Sequence, residues 1–140
     1  MKTKFLTVIC AIVLVGLQSC SCKKGAEAVA ELSTGSWELE QAMGEPIDRG
    51  EFAKIPMLNF DKSEGRVSGN SGCNSMSGSY TIKEDKITFG PIAQTKMACQ
   101  GTGEGKFMTL FNSVQKFKLQ KDKLKLYDGN GTKVLSFTKK

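Results

Sequence analysis

Polar and apolar residues alternate with period two through much of this 140-residue chain, most plainly in Lys116-Phe117-Lys118-Leu119 and Lys123-Leu124-Lys125-Leu126. Successive side chains of a strand point to opposite faces. The pattern therefore predicts half-buried strands with their lysines in solvent, where they also discourage edge pairing. The same reading gives strands over Ser36-Trp37-Glu38-Leu39-Glu40, Met57-Leu58-Asn59-Phe60, Arg66-Val67-Ser68-Gly69, Gly78-Ser79-Tyr80-Thr81-Ile82, Lys86-Ile87-Thr88-Phe89 and Val134 to Phe137. Pro91 to Met97 reads as another extended segment. Between strands, Asn70-Ser71-Gly72-Cys73-Asn74 is dense in residues that tolerate positive φ and predicts a shaped loop.

One segment breaks the alternation. Phe107, Leu110, Phe111 and Val114 fall at helical spacing, and Phe117 closes the stripe. This predicts a core-packed helix from about Glu104 to Gln115, with Thr102 as its cap and Glu104 favourable in its first turn. It is the one helix expected in the mature domain.

The N-terminal segment bears on location. Lys2 and Lys4 precede an uncharged run from Phe5 to Leu17, shorter than the roughly 20 residues a spanning helix needs and typical of a secretory signal. Its end, Leu17-Gln18-Ser19-Cys20, resembles a bacterial lipobox. That implies a signal over residues 1–19 and a diacylglycerol-bearing Cys20 as the new N-terminus. Cys22 is the competing acceptor, but Ser19 stands three residues before it, where the pattern wants an aliphatic side chain. The expected location is the cell envelope, attached to a membrane through the lipid. Ser21 is not Asp, so the sorting rule of enteric bacteria points to the outer membrane. Residues 20–32 read as a lipidated end and a small-residue, charged tether.

Without Lys2 and Lys4, 18 Lys and Arg stand against 14 acids, a net charge of +4. Nucleic-acid binding asks for clustered arginines and stacking aromatics, whereas Arg49 and Arg66 are the only arginines. No nucleic-acid partner is expected. Of five cysteines, Cys10 leaves with the signal and Cys20 takes the lipid; Cys73 and Cys99 are the two inside the domain. In an oxidising compartment such a pair is usually a disulfide. Closing a loop of about 27 residues contributes on the order of 3 kcal/mol in the chain-entropy account. Zinc wants four ligands and the chain has no histidine, so no metal or other cofactor is expected beyond the covalent lipid.

The missing histidine also removes the usual base for a Ser or Cys nucleophile. Gly69 and Gly72 do not read as a phosphate cradle, because a strand rather than a helix follows them. No catalytic residue is assigned, and an enzyme is not expected.

Three stretches together resemble the META domain family: Ser36-Trp37-Glu38-Leu39, Gly65-Arg66-Val67-Ser68-Gly69-Asn70-Ser71-Gly72-Cys73-Asn74-Ser75-Met76-Ser77-Gly78-Ser79-Tyr80, and Thr95-Lys96-Met97-Ala98-Cys99. The resemblance covers residues 33–138. It marks Trp37, Gly69, Gly72, Cys73, Asn74, Gly78, Tyr80, Thr95, Met97 and Cys99 as motif positions. Lys96 departs from the Arg that members commonly carry there, keeping the cation but losing any bidentate contact. The implied fold is mainly β: a curved antiparallel sheet or cracked β-barrel with one α-helix packed across it. Members are envelope or secreted proteins of poorly defined activity, linked in some bacteria to heat shock and novobiocin tolerance. The resemblance also implies a likeness in fold to lipoprotein pilots of type III secretion, and no established enzyme. The expected function is a membrane-tethered, non-catalytic module that holds an envelope protein, peptide or lipid in a groove between sheet and helix. The alternatives are a thiol-disulfide protein using Cys73 and Cys99, or a structural factor for envelope stability.

Overall fold

The computed structural model describes residues 21–140, with side chains from Gly25 onward. The expected signal over residues 1–19, Cys10 within it, and the expected lipid acceptor Cys20 lie outside the described residues. Helix α1 (Ser21–Leu32) leads into β1 (Ser36–Ala42), β2 (Glu45–Pro46), β3 (Met57–Asp61), β4 (Arg66–Asn70), β5 (Ser75–Lys83), β6 (Lys86–Phe89) and β7 (Ala93–Gln94). Helix α2 (Gly103–Asn112) precedes β8 (Val114–Gln120), β9 (Lys123–Asp128) and β10 (Lys133–Lys139).

All pairings are antiparallel, and the circuit β1-β3-β4-β5-β6-β8-β9-β10 closes through β1 with β10, from Trp37 opposite Lys139 to Ala42 opposite Leu135. The result is an eight-stranded barrel with β2 and β7 attached outside the circuit, of a size whose interior side chains can fill. Trp37, Leu58, Val67, Ile87, Leu124, Leu126 and Phe137 are wholly buried. Closure is weakest between β6 and β8, which share one register pair, Lys86 with Lys116. Past that point the wall splits, and the rings of Phe89 and Phe111 meet nearby at 4.3 Å. The expected cracked barrel with a helix packed across it is thus present, the crack being a single seam.

Five expectations change, the last being the extent of the segment after β6. First, a second helix stands where a tether is expected: α1 spans Ser21–Leu32. Its Ala, Glu and Lys residues favour helix, and Ala28 and Leu32, one turn apart, give it a face on the core. Leu32 is fully buried and its carbonyl accepts from Trp37 Nε1 at 2.9 Å. Second, α2 ends at Asn112, and Val114 and Phe117 belong to β8. A bulge between Val114 and Lys116 turns both inward, so a strand continues the three-residue spacing that reads as helix. Third, Thr102 makes no side-chain cap bond. Fourth, the lysines of β8 and β9 do not guard an open edge. Both strands have neighbours on each side, and Lys118 lies directly opposite Lys125. Of the extended segment expected over Pro91 to Met97, only Ala93–Gln94 is strand.

Candidate functional site

A largely buried polar cluster gathers around Asn74, in the loop between β4 and β5, with Ser71 and Asn74 buried. Ser71 N donates to Asn74 O at 2.9 Å, and Gly72 N donates to Asn70 Oδ1 at 3.0 Å, which folds the loop onto itself. Gly72 O accepts from Lys54 N at 2.9 Å. Gly69 precedes it at φ 152°, and an added Cβ would stand 1.9 Å from Met57 O on β3. The tight approach of β4 to β3 therefore demands glycine.

From this loop the Asn74 side chain binds the segment after β7 through both of its ends. Oδ1 accepts from Met97 N at 2.7 Å and from Thr95 Oγ1 at 2.8 Å, while Nδ2 donates to Met97 O at 3.2 Å. Thr95 N donates to Ser75 O at 3.1 Å, and Thr95 Oγ1 accepts from Ser75 N at 3.1 Å. The Cys73–Cys99 disulfide, with Cα atoms 5.9 Å apart, closes the same contact. Two independent ties, one polar and one covalent, hold residues 93–99 as an arm over β5. Gly78 lets the arm lie close, since a Cβ there would meet Ile92 Cδ1 at 2.5 Å and Pro91 O at 2.8 Å.

Glu104 completes the cluster from the first turn of α2. Its carboxylate accepts from Asn74 N at 3.0 Å, from Asn74 Nδ2 at 3.0 and 3.1 Å, and from Ser71 Oγ. Ser71 Oγ in turn accepts from Gln94 Nε2 at 3.0 Å. Burial works to raise the Glu104 carboxyl, but the hydrogen bonds from Ser71 and from the main chain and side chain of Asn74 outweigh it. The group is held below the ordinary carboxylate value. It makes no ion pair among the described residues. Its charge is met by N–H and O–H groups, which makes it an anchor rather than a poised acid or base.

Of the motif positions, Gly72, Cys73, Asn74, Thr95, Met97 and Cys99 come together here, with Gly69 and Gly78 in the strands beneath. Trp37 and Tyr80 do not join them. Both lie in the core, where Tyr80 stands edge-on to Phe60 at 5.1 Å. The Tyr80 hydroxyl lies toward Ser33 without reaching hydrogen-bond geometry, and burial pushes its ionisation up. Ser71, Gln94 and Glu104 escape sequence reasoning as partners of Asn74; the one signal for Glu104 is its place in the first turn of a helix.

The side chain of Met97 is 52% exposed while its peptide is pinned. Two larger concavities lie elsewhere, flanking α1. One, of about 730 Å³, is walled by Gly25, Ala26, Val29, Lys62, Ile82 and Lys83, among others. The other, of about 580 Å³, includes Ala28, Phe117 and Leu119. The space beside α2, next to Phe107 and Phe52, is about 250 Å³. The roomier grooves thus border the N-terminal helix and not the one expected to roof the sheet. Among the described residues no group of three or more potential ligands is placed to hold a metal. No described helix is long and apolar enough to cross a membrane.

A family model described as META domain matches residues 30–140. Among solved structures, an NMR structure of a protein from Burkholderia xenovorans is similar at 28% identity and TM-score 0.64, covering 81% of this chain and 87% of that one. A second NMR structure has 19% identity and TM-score 0.62, covering 79% and 92%. A crystal structure of a DUF4847 family protein from Bacteroides vulgatus has 13% identity and TM-score 0.59, covering 79% and 96%. These last two likenesses bear on the fold alone. No curated protein matches the chain.

Proposed function

The chain belongs to the META domain family, and on that premise we propose that it is a non-catalytic binding module of the bacterial cell envelope. Residues 1–19 are the signal, Cys20 carries the lipid, and the domain over residues 33–138 holds an envelope protein, a peptide or a lipid. Ser21 after the lipidated cysteine favours the outer membrane. The observation that carries this reading is the use of the motif's polar groups. Asn74, Thr95, Ser71 and Glu104 bind one another and the main chain of the arm, so their chemistry goes into fixing a surface rather than into a reacting centre. Preorganised surfaces bind with less ordering cost. A redox role for the disulfide has less support: Cys73 is buried at 3% exposed, so attack is open only at the exposed Cys99, and the two cysteines stand 26 residues apart rather than close together at a helix N-terminus.

The test is a pull-down of the acylated protein from its own envelope, with mass spectrometry for both proteins and lipids. A defined partner, recovered at a constant ratio and lost on competition with unlabelled protein, is expected. Recovery of abundant neighbours alone would refute the reading.

A further inference from the structure

The arm has an open hydrogen-bonding edge. β7 pairs with β5 through Met76 opposite Gln94 and Ser77 opposite Ala93, on the side of β5 that β6 occupies farther along. Thr95 N binds Ser75 O. In an antiparallel ladder, inward-bonded residues alternate with residues whose N–H and C=O point away. Ala93 and Thr95 therefore bond inward and the main chain of Gln94 faces outward; if the alternation carries on past β7 to Met97, which Asn74 holds inward, it turns the main chain of Lys96 outward as well. Among the described residues no hydrogen bond is made by those outward groups, and no strand lies beside β7 on that side, since β8 leaves β6 after the Lys86–Lys116 pair. Residues 93–102 are all exposed. The other strand outside the circuit, β2, ends in Pro46, which lacks an N–H and blunts its edge.

Resting on the binding-module reading, we propose that the outer edge of β7 accepts an extended segment of a partner protein by strand addition, that segment carrying a carboxylate for Lys96 beside an apolar side chain for Met97. Main-chain pairing supplies the common part of such binding and flanking side chains the selective part. Lys96 is the one charged residue between Gly90 and Thr102, and it makes no ion pair among the described residues. Met97, the next residue along the arm, offers exposed apolar surface. A second copy fits less well, because two β7 edges brought together would bring two uncompensated Lys96 ammonium groups into one short ladder. Rigidity favours capture, as the Asn74 bonds and the disulfide order the arm in advance.

The test is NMR titration of the isotope-labelled chain with a short peptide of alternating Val and Thr bearing a central Glu-Val pair. The expected result is slowed hydrogen exchange and shifted resonances at the Gln94 and Lys96 amides, with at least tenfold weaker binding when the Glu is replaced by Lys. Gln94→Pro removes the outward N–H and should abolish the response while the Met97 amide keeps its Asn74 bond. Lys96→Glu should reverse the charge preference, which keeps the test decisive if the proline variant unfolds. Unchanged Gln94 and Lys96 amides would overturn the proposal, as would their concentration-dependent protection without peptide, the mark of a second copy. A partner mapped to the grooves beside α1, with these amides unaffected, would overturn strand addition and leave the binding reading standing. Failure of the envelope pull-down to find any partner would remove the reading itself.

Discussion

At Asn74 one side chain meets a carboxylate, a hydroxyl and both amide atoms of Met97, so Asn74→Ala leaves Glu104 and the Met97 N–H short of partners at once. Unmet buried polar groups cost about 1 to 3 kcal/mol each, and a loss of about 2 to 4 kcal/mol is expected in denaturant unfolding. Glu104 links the cluster to pH. Its folded ionisation lies below the unfolded value of about 4.3, so its stabilisation is present above that value and is lost as pH falls through the folded one. Glu38 and Glu40 are also lowered, chiefly by bonds from Lys140 and Lys123, but these exposed pairs contribute little. Glu104→Gln should therefore be less stable than the parent near neutrality, with the gap narrowing below about pH 4 in unfolding curves; a gap constant with pH would contradict the assignment. Tyr80→Phe makes the opposite kind of test. The hydroxyl is buried without a bond, so removing it should leave stability within about 1 kcal/mol of the parent or raise it. A larger loss would reveal a partner for the hydroxyl.

Among the elements, the strands are the part best read from sequence, because in each one the alternation is local and its ends carry turn residues. Lys86–Phe89 is read with its limits as found. The helices are read less well, for reasons that lie in particular residues. Val114 and Phe117 extend the stripe of α2 only because a bulge lets a strand copy helical spacing. The residues of α1 carry too few apolar side chains to announce burial, and its packing depends on Leu32 meeting Trp37 across a turn. Phe111 tests α2 directly. Wholly inside the core and against Phe89 and Phe107, it should lose about 3 to 5 kcal/mol on truncation to Ala, whereas a loss below about 1 kcal/mol would place the stripe on a solvated groove.

For the molecule as a whole, mainly-β architecture follows from the alternation, but closure does not. It rests on β1 meeting β10 at the far end of the chain, a register that no local pattern encodes. The arm is legible in part. Cys73 and Cys99 are an evident pair, while the Asn74–Glu104 contact spans 30 residues and two unrelated elements and leaves no periodic trace. The proposed envelope location depends on residues 1–20, and Cys20→Ala should leave an unprocessed precursor without lipid; normal processing in that variant would rule out the lipobox. In the proposed binding role the motif residues build a fixed surface for a partner, and site-specific photo-crosslinking in the native envelope tests this most directly. A photoreactive side chain is placed in turn at Lys96, at Met97, and at Thr88 on the barrel's outer wall. One discrete crosslinked species from Lys96 and Met97, absent from Thr88 and lost in Asn74→Ala, is the expected result. An identical spread of products from all three positions would contradict it.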